Sequence, residues 1–296
     1  MNAKTALKAN PALVLNDRAD AASRALPPLL VEAQRIAATV ILGIHGRKRA
    51  GPGESFWQYR PYSFGDSTQR IDWRKSARSA HVYIRENEWE AANTLWLWAN
   101  PTNSMDFKSK LSPTTKRDRA YLITLALATL TLRAHERVGI LGSPNRAGHA
   151  RGALIPMANW LLQNEGPNLP PVHQLQKHAS VVLLSDFLDK PEVIATVMRA
   201  LAAQGVSGHV VQIVDPAEEA LPYAGRVEFR DMDGPLKFLA GKTETIREAY
   251  VEKFQAHREA VRKLAHSLQW SFTIHHTDKS PAQLLMALHG LIGERR

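Results

Sequence analysis

The sequence contains no cysteine, which excludes a disulfide framework, thiolate zinc sites and cysteine nucleophiles. It also lacks the motifs H-E-x-x-H, G-x-S-x-G and G-x-G-x-x-G, which carry zinc-dependent, serine-dependent and dinucleotide-dependent chemistry. These absences remove several of the enzyme classes that a sequence can identify by motif. The lack of cysteine is also typical of a protein that works in a reducing compartment.

Long apolar runs are absent as well. The most apolar segments are 122–132 and 181–184, and both are shorter than the roughly 20 residues that a membrane-spanning helix needs. Residues 1–24 contain no uninterrupted apolar segment of signal-peptide length. We therefore expect a soluble, cytoplasmic protein with no membrane span.

Basic residues outnumber acidic ones, 38 to 28, and the formal net charge is +10. A surplus of this size raises nucleic acid or an anionic membrane surface as a partner. However, no run of five or more basic residues marks a phosphate track, so we interpret the surplus as a general surface bias. With 296 residues and 44% hydrophobic residues, the chain is long enough for two folded domains.

The least generic stretch is Ser55–Glu90, which holds eight aromatic residues among basic and acidic residues in near balance. A solvated tail would not carry these aromatics, and a plain core would not carry these charges. We interpret the stretch as an ordered polar brace built against the rest of the protein. Within it, Gly65-Asp66 predicts a turn, His81–Arg85 a strand, and Asp72 the start of a short helix.

The chain divides at about residue 90. Residues 1–90 hold a helix from Pro28, a basic glycine-rich loop and the aromatic stretch. Residues 91–296 alternate between strand and helix patterns, which predicts a Rossmann-like α/β fold with a mainly parallel sheet and helices on both faces. The predicted strands are Thr94–Ala99, Arg137–Leu141, Ser180–Ser185, Gly208–Val214 and Trp270–Ile274, with a hairpin of Val227–Arg230 and Leu236–Leu239. The predicted helices are Lys116–His135, Met157–Gln163, Pro191–Gln204, 244–268 and Pro281–Ile292.

In such folds the functional crevice lies at the carboxyl ends of the strands. Two predicted strands end in polar residues there, one in Asn100, Thr102 and Ser104 and the other in Ser185 and Asp186. Their oxygens are of the kind that a hard cation such as Mg²⁺ prefers. We assign no catalytic role elsewhere: Glu218-Glu219 is interpreted as a solvated loop or helix start, and His275-His276 as structural or surface histidines.

A family resemblance rests on the run R-x-Y-x-x-G-D-x-x-x-x-I-D-W-R-x-S-A-R. It closely resembles the signature of domain-of-unknown-function family 58, and Leu184–Leu188 is also similar to that family. The resemblance covers roughly residues 40–290. The signature positions in this sequence are Arg60, Tyr62, Gly65, Asp66, Ile71, Asp72, Trp73, Arg74, Ser76 and Arg78.

That resemblance implies a von Willebrand factor A-like fold with a metal-ion-dependent adhesion site. It also implies a partnership with MoxR-type AAA+ ATPases and client proteins, in an assembly role without catalysis. The metal pattern D-x-S-x-S is degenerate here, because Asn100, Thr102 and Ser104 replace its three ligands. Asp186 matches the later acidic ligand, but the loop Gly142–Leu154 holds no threonine. We therefore expect no cofactor, or at most weak Mg²⁺ binding.

Three functions remain open from the sequence. The leading hypothesis is a non-enzymatic adaptor for a MoxR-type AAA+ ATPase, with no nucleic-acid partner. The second is a nucleic-acid-binding module, which the net charge of +10 motivates. The third is a metal-dependent hydrolase at the crevice between Asn100 and Asp186.

Overall fold

The structure, a computed structural model, describes residues 28–45, 56–63, 68, 71–79, 81–87 and 93–294. The helices are α1 Pro28–His45, α2 Trp73–Ser76, α3 Lys116–Arg133, α4 Leu154–Gln163, α5 Pro191–Ala202, α6 Pro216–Ala220, α7 Glu244–Ser267 and α8 Pro281–Glu294. The strands are β1 Phe56–Pro61, β2 Tyr83–Asn87, β3 Thr94–Ala99, β4 Arg137–Ile140, β5 Ser180–Ser185, β6 Ser207–Val214, β7 Val227–Arg230, β8 Lys237–Ala240 and β9 Ser271–His276. None of the described helices is both long and apolar enough to cross a membrane.

The chain forms two compact units. The larger contains α1 as far as Gly43 and everything from Asn93 onward, and the smaller is Ile44–Ala92. In the smaller unit, β1 pairs antiparallel with β2, and Ile84 of β2 is buried. The predicted turn at Gly65-Asp66 lies outside the described residues.

Asp72 organises the described part of the smaller unit. Its Oδ1 accepts a hydrogen bond from the backbone N of Lys75 at 2.9 Å, which caps α2 as the sequence predicts. Its Oδ2 accepts from the hydroxyl of Tyr59 at 3.1 Å. The Lys75 ammonium lies 5.5 Å from the ring centroid of Tyr59 and 6.0 Å from that of Tyr83, within cation–π range. The rings of Tyr59 and Tyr83 are thus held by the cap residue Asp72 and by Lys75 of the same short helix.

The larger unit is built on one five-stranded, all-parallel sheet in the order β4-β3-β5-β6-β9. Strand β5 is buried on both faces of the sheet. Val181 and Leu183 pack with α5 and α7 on one face, and Val182 and Leu184, which point to the opposite face, are equally buried. Helix α3 packs on β3, β4, β5 and β6. The predicted α/β fold, with a parallel sheet covered by helices, is confirmed.

Helix α3 is central to this unit. Thr115 caps it by accepting a hydrogen bond from the backbone N of Asp118 at 3.0 Å. From Ala120 to Leu132 every residue is buried, because the sheet lies on one side of the helix and α4 and α8 on others. The first turn of α3 reaches the carboxyl ends of the strands, which places its side chains at the crevice.

One helix start was predicted wrongly from the sequence. Asp189, three residues before Glu192, predicts an N-cap with a capping box. In the structure the N-cap of α5 is Lys190, because Pro191 occupies the first helical position, and Asp189 instead accepts from the Asn168 amide at 3.3 Å.

Candidate functional site

The switch point of the sheet lies between β3 and β5, where the connections leave in opposite directions. There Asn100 Nδ2 donates to Ser185 Oγ at 3.0 Å and joins the ends of the two strands. Asn100 Oδ1 accepts from Thr102 twice, from its backbone N at 3.0 Å and its hydroxyl at 2.8 Å. The hydroxyls of Thr102 and Ser104 are hydrogen-bonded at 3.0 Å. The structure therefore brings Asn100, Thr102 and Ser104 together, as the sequence predicts.

Asp186 joins this network through Ser185. The Ser185 hydroxyl lies 3.3 Å from Asp186 Oδ1 and accepts from the backbone N of Phe187 at 3.1 Å. Phe187 has a left-handed backbone, with φ of 51°, which costs about 1–2 kcal/mol for a residue with a side chain. Its ring is buried in the core beneath α5, and Gln212 Nε2 donates to the Asp186 carbonyl at 3.0 Å. The core thus holds a strained turn that fixes the Asp186 carboxylate at the crevice.

A lysine ammonium lies against that carboxylate. Lys116 Nζ, from the first residue of α3, is 3.0 Å from Asp186 Oδ2 and 2.5 Å from Glu218 Oε1. The Lys116 side chain is only 1% exposed. Sequence reasoning assigned no role to Lys116, and it predicted a solvated loop or helix start at Glu218. The helix start is confirmed, but the Glu218 side chain is only 16% exposed. One buried cation and two carboxylates therefore form an ion trio of Lys116, Asp186 and Glu218.

The trio perturbs the protonation of its members. Burial lowers the pKa of Lys116, but the charges of Asp186 and Glu218 outweigh burial and raise it above its ordinary value. Burial raises the pKa of Glu218, which the Lys116 charge only partly offsets. Lys116 therefore stays charged at neutral pH, and Glu218 takes up a proton at a higher pH than an ordinary glutamate does.

Glu219 forms a second set of charge contacts beside the ion trio. Its carboxylate pairs with the Arg258 guanidinium of α7 and lies 2.5 Å from His276 Nε2 of β9. Arg258 Nε in turn donates to Gln212 Oε1 at 3.0 Å. The pKa of Glu219 is lowered: burial raises it, but the hydrogen bonds and charges of Arg258 and His276 prevail. The two adjacent glutamates thus tie α6 to the sheet, to α3 and to α7, although the Glu219 side chain remains 31% exposed.

The side chains at the crevice do not fit a divalent cation. The Lys116 ammonium lies where a cation would approach the Asp186 carboxylate. Both lone pairs of Asn100 Oδ1 accept hydrogen bonds from Thr102, and its amide adds no negative charge. In the described chain, no three His, Asp or Glu side chains lie close enough together to hold a metal ion. In the structure, Asn100, Thr102, Ser104 and Asp186 form a hydrogen-bonded rim with a lysine at its acidic end. Their role as a degenerate metal site stays a prediction.

A local signal could have identified Lys116. The first turn of α3 reads Lys-Arg-Asp-Arg, although the positive end of the helix dipole disfavours cations there. Each of these basic side chains has a distant acceptor. Arg117 donates to the Thr102 carbonyl at 2.9 Å, and Arg119 donates to the Thr277 carbonyl at 2.8 Å. Basic residues at this end of a buried helix indicate a long-range electrostatic contact.

A cavity of about 650 Å³ opens beside the rim. Lys116 and Glu218 lie at its floor, and the hairpin β7–β8, α6, α7 and the loop after β5 form its walls. The hairpin is tied to the rim, because Ser104 N donates to Asp233 Oδ1 at 3.1 Å. Phe229 and Phe238, paired across the hairpin, stack with centroids 6.4 Å apart. The site therefore combines a polar rim, a charged floor and an aromatic wall.

Comparison with known proteins gives a family and a set of relatives. The family described as "Protein of unknown function DUF58" matches residues 58–260. Uncharacterized proteins of Mycobacterium tuberculosis and Mycobacterium bovis are each 25% identical over 241 residues, 76% of this chain and 75% of theirs. Of the solved structures, a conserved hypothetical protein BatB from Bacteroides thetaiotaomicron has a TM-score of 0.40 at 10% identity, covering 68% of this chain and 99% of that one. An aerotolerance-related membrane protein from Bacteroides fragilis has a TM-score of 0.37 at 11% identity, with the same coverage.

Proposed function

We propose that this chain, which belongs to the DUF58 family, acts as a protein-interaction and assembly factor and not as an enzyme. Its proposed partners are a MoxR-type AAA+ ATPase and the client proteins of that ATPase. The partnership rests on the resemblance of the Arg60–Arg78 signature. The proposed contact surface is the rim from Asn100 to Ser104 with the cavity beside it.

The observation that carries the proposal is that the polar side chains of the site are bonded to one another, whereas the apolar side chains beside them are exposed. The polar side chains of the rim hold one another, and Lys116 is already bound by two carboxylates. Large apolar side chains of the cavity beside them face solvent: Phe238 is 54% exposed and Leu188 is 47% exposed. Exposed apolar side chains grouped near a polar rim are typical of a protein interaction site.

A hydrolase is the weaker alternative at this site. Ser271 Oγ lies 2.8 Å from His209 Nδ1. A serine hydroxyl and a histidine nitrogen at this distance are the combination that a hydrolase uses as nucleophile and general base. They lie at the amino ends of β9 and β6, however, opposite the end that carries the cavity. The pair therefore does not support catalysis at the crevice, and we propose that the rim works without a metal or other cofactor.

Co-purification tests the proposal. The tagged full chain is isolated from its native cells with and without a slowly hydrolysed ATP analogue, and bound proteins are identified by mass spectrometry. We expect an AAA+ ATPase to be enriched over the untagged control. If neither condition enriches such an ATPase, the proposed partnership is wrong.

A pair of variants locates the contact. Asp233→Ala removes the acceptor that ties the hairpin to Ser104 N and should reduce the amount of ATPase recovered. Glu252→Ala changes an exposed residue of α7 and should not. Equal recovery with both variants would place the contact away from the hairpin.

A further inference from the structure

The cavity beside Lys116 has a chemistry that selects one kind of ligand. Its volume of about 650 Å³ lies within the range of about 300–1,000 Å³ that is typical of sites for compact ligands and peptide anchors. Leu188, Met232 and Phe238 line it and are also exposed. Large apolar side chains of a ligand can therefore reach this lining without a rearrangement of the core.

Charge at the cavity has the opposite sign from the chain as a whole. The lining itself holds three carboxylates, Glu218, Glu228 and Asp231, against the two basic side chains Lys116 and Arg230. Asp186 and Asp233 lie next to it, as does Arg247, which donates to the carbonyls of Leu221 and Tyr223. Both basic groups of the lining are already paired: Lys116 with Asp186 and Glu218, and Arg230 with Glu228 at 2.6 Å. The formal net charge of the chain is +10, so the negative charge at this cavity differs in sign from the charge of the chain as a whole.

Asp231 and Asp233 hold the surplus negative charge. Asp231 Oδ1 accepts from the backbone N of Asp233 at 3.0 Å, and Asp233 Oδ1 accepts from Ser104 N at 3.1 Å. In the described part of the chain no lysine or arginine pairs with either carboxylate. Hydrogen bonds from backbone N–H groups leave the full negative charge in place, so a cation approaching the hairpin turn is attracted.

We propose that the cavity binds a segment of a partner protein in which a lysine or arginine lies among large apolar residues. The apolar side chains pack on the aromatic wall of Phe229 and Phe238, and the basic side chain lies against the acidic hairpin turn. This inference rests on the proposed interaction function and gives the chemical class of the segment that is bound.

Peptide binding tests the inference directly. Three dye-labelled peptides share leucine and phenylalanine on both sides of a central residue, which is lysine, norleucine or glutamate. Fluorescence anisotropy with the full chain should show the lysine peptide binding at least about tenfold more tightly than the glutamate peptide, with norleucine between them. The preference for lysine should decrease with added NaCl, because the carboxylates of the turn are exposed.

Matched variants place the binding. Phe238→Ser removes an exposed lining residue and should weaken all three peptides at least about fivefold. Leu162→Ser changes an equally exposed apolar residue of α4 that does not line the cavity, and it should change nothing. Asp231→Asn keeps the oxygen that accepts from Asp233 N and removes the charge, so only the lysine peptide should lose affinity. Glu252→Gln, at an exposed residue of α7 that does not line the cavity, is its control.

Several results overturn the inference. Equal affinity for the lysine and glutamate peptides, no binding of any peptide, or binding that Phe238→Ser leaves unchanged would each do so. Self-association that Phe238→Ser abolishes, without peptide binding, would mean that a second copy fills the cavity. If the ATPase still co-purifies while the peptides fail, the inference is wrong and the proposed function stands.

Discussion

The ammonium of Lys116 lies 3.0 Å from the carboxylate of Asp186, which is 70 residues further along the chain. Asp186 directly follows β5 at the switch point of the sheet, and Lys116 begins the buried helix α3. A charge contact of this kind fixes the first turn of α3 to the loop after β5. With Glu218 it also fixes α6, so a single lysine joins three segments around the cavity floor.

Lys116→Met should strongly destabilise the larger unit. The change keeps the length of the side chain but leaves the carboxylates of Asp186 and Glu218 in a buried site without a cation. Breaking a buried pair in this way costs about 3–5 kcal/mol. Urea unfolding at pH 7.5, followed by circular dichroism, measures the loss.

The pH dependence of that loss distinguishes charge from packing. Unpaired buried carboxylates have raised pKa values in the folded state, so the folded variant binds more protons than the unfolded chain, and its stability falls as the pH rises above about 4.5. The deficit of Lys116→Met relative to the wild type should therefore be larger at pH 8 than at pH 5. Adding Glu218→Gln should recover part of it, whereas Lys263→Met on the exposed face of α7 is the neutral control. A deficit that is the same at both pH values would indicate lost packing alone.

We expect the buried side chain of His275 to cause a separate loss of stability in acid. It is 5% exposed, and its Nε2 has no hydrogen-bond partner in the described chain. Burial lowers its pKa to about 4, helped by the charges of Arg119 and His276 and opposed by Asp278. Between pH 6.5 and 4 the unfolded chain then binds more protons than the folded chain. The free energy of unfolding therefore decreases by on the order of 3 kcal/mol as the pH is lowered from 6.5 to 4.

His275→Gln should remove this contribution. The stability difference between the wild type and the variant should shrink as the pH falls from 7 to 4, because only the wild type must keep a neutral imidazole. The exposed residue His266 at the end of α7 provides the control, and His266→Gln should run parallel to the wild type. If His275→Gln is also parallel, His275 is protonated in the folded state at these pH values.

Patterns within one segment predicted the fold well, for a physical reason. Strand β5 is an apolar run buried on both faces, and its observed bounds, Ser180–Ser185, match the prediction. The same holds for β3 at Thr94–Ala99. Burial on both faces of a parallel sheet demands a continuous apolar run, and the polar residues that end the run mark the carboxyl end of the strand. The rim from Asn100 to Ser104 could therefore be predicted.

The acidic end of the site could not be predicted in the same way. Glu218 is 102 residues from Lys116, and a pair of adjacent glutamates in a short helix is usually solvated. What changes their environment is the position of α6 directly after β6, the neighbour of the central strand β5, which brings both side chains to the crevice. That placement depends on the order of the strands in the sheet, which the hydrophobic pattern within a single segment does not reveal. The hairpin β7–β8 was predicted, but its contact with Ser104 also depends on tertiary placement.

Gly208→Ala tests how closely β6 is packed. A Cβ atom at position 208 would lie 1.8 Å from Cδ2 of the buried Trp270, far inside van der Waals contact. Trp270 must move for the variant to fold, so we expect a loss of about 1–3 kcal/mol in urea unfolding. Gly290→Ala in α8 adds the same methyl group with no atom within 4 Å, and it should stabilise by up to about 1 kcal/mol. Similar effects for both variants would contradict the close packing of Trp270.

We expect the ion trio to oppose metal binding at the rim, and variants of the rim test this expectation. Asn100→Asp restores a carboxylate beside Ser185, and we expect it to raise Mg²⁺ affinity by no more than about tenfold, because the Lys116 ammonium still lies on Asp186. Asn100→Asp combined with Lys116→Met removes that cation and brings two carboxylates and two hydroxyls together. Its affinity should exceed that of the wild type by at least about a hundredfold, and Mg²⁺ should restore stability lost through Lys116→Met. Calorimetric titration with MgCl₂ and MnCl₂, with thermal unfolding in parallel, measures both effects. Micromolar binding by the wild type would show that Lys116 moves aside for a metal, and the lysine would then be a gate to the site instead of its cation.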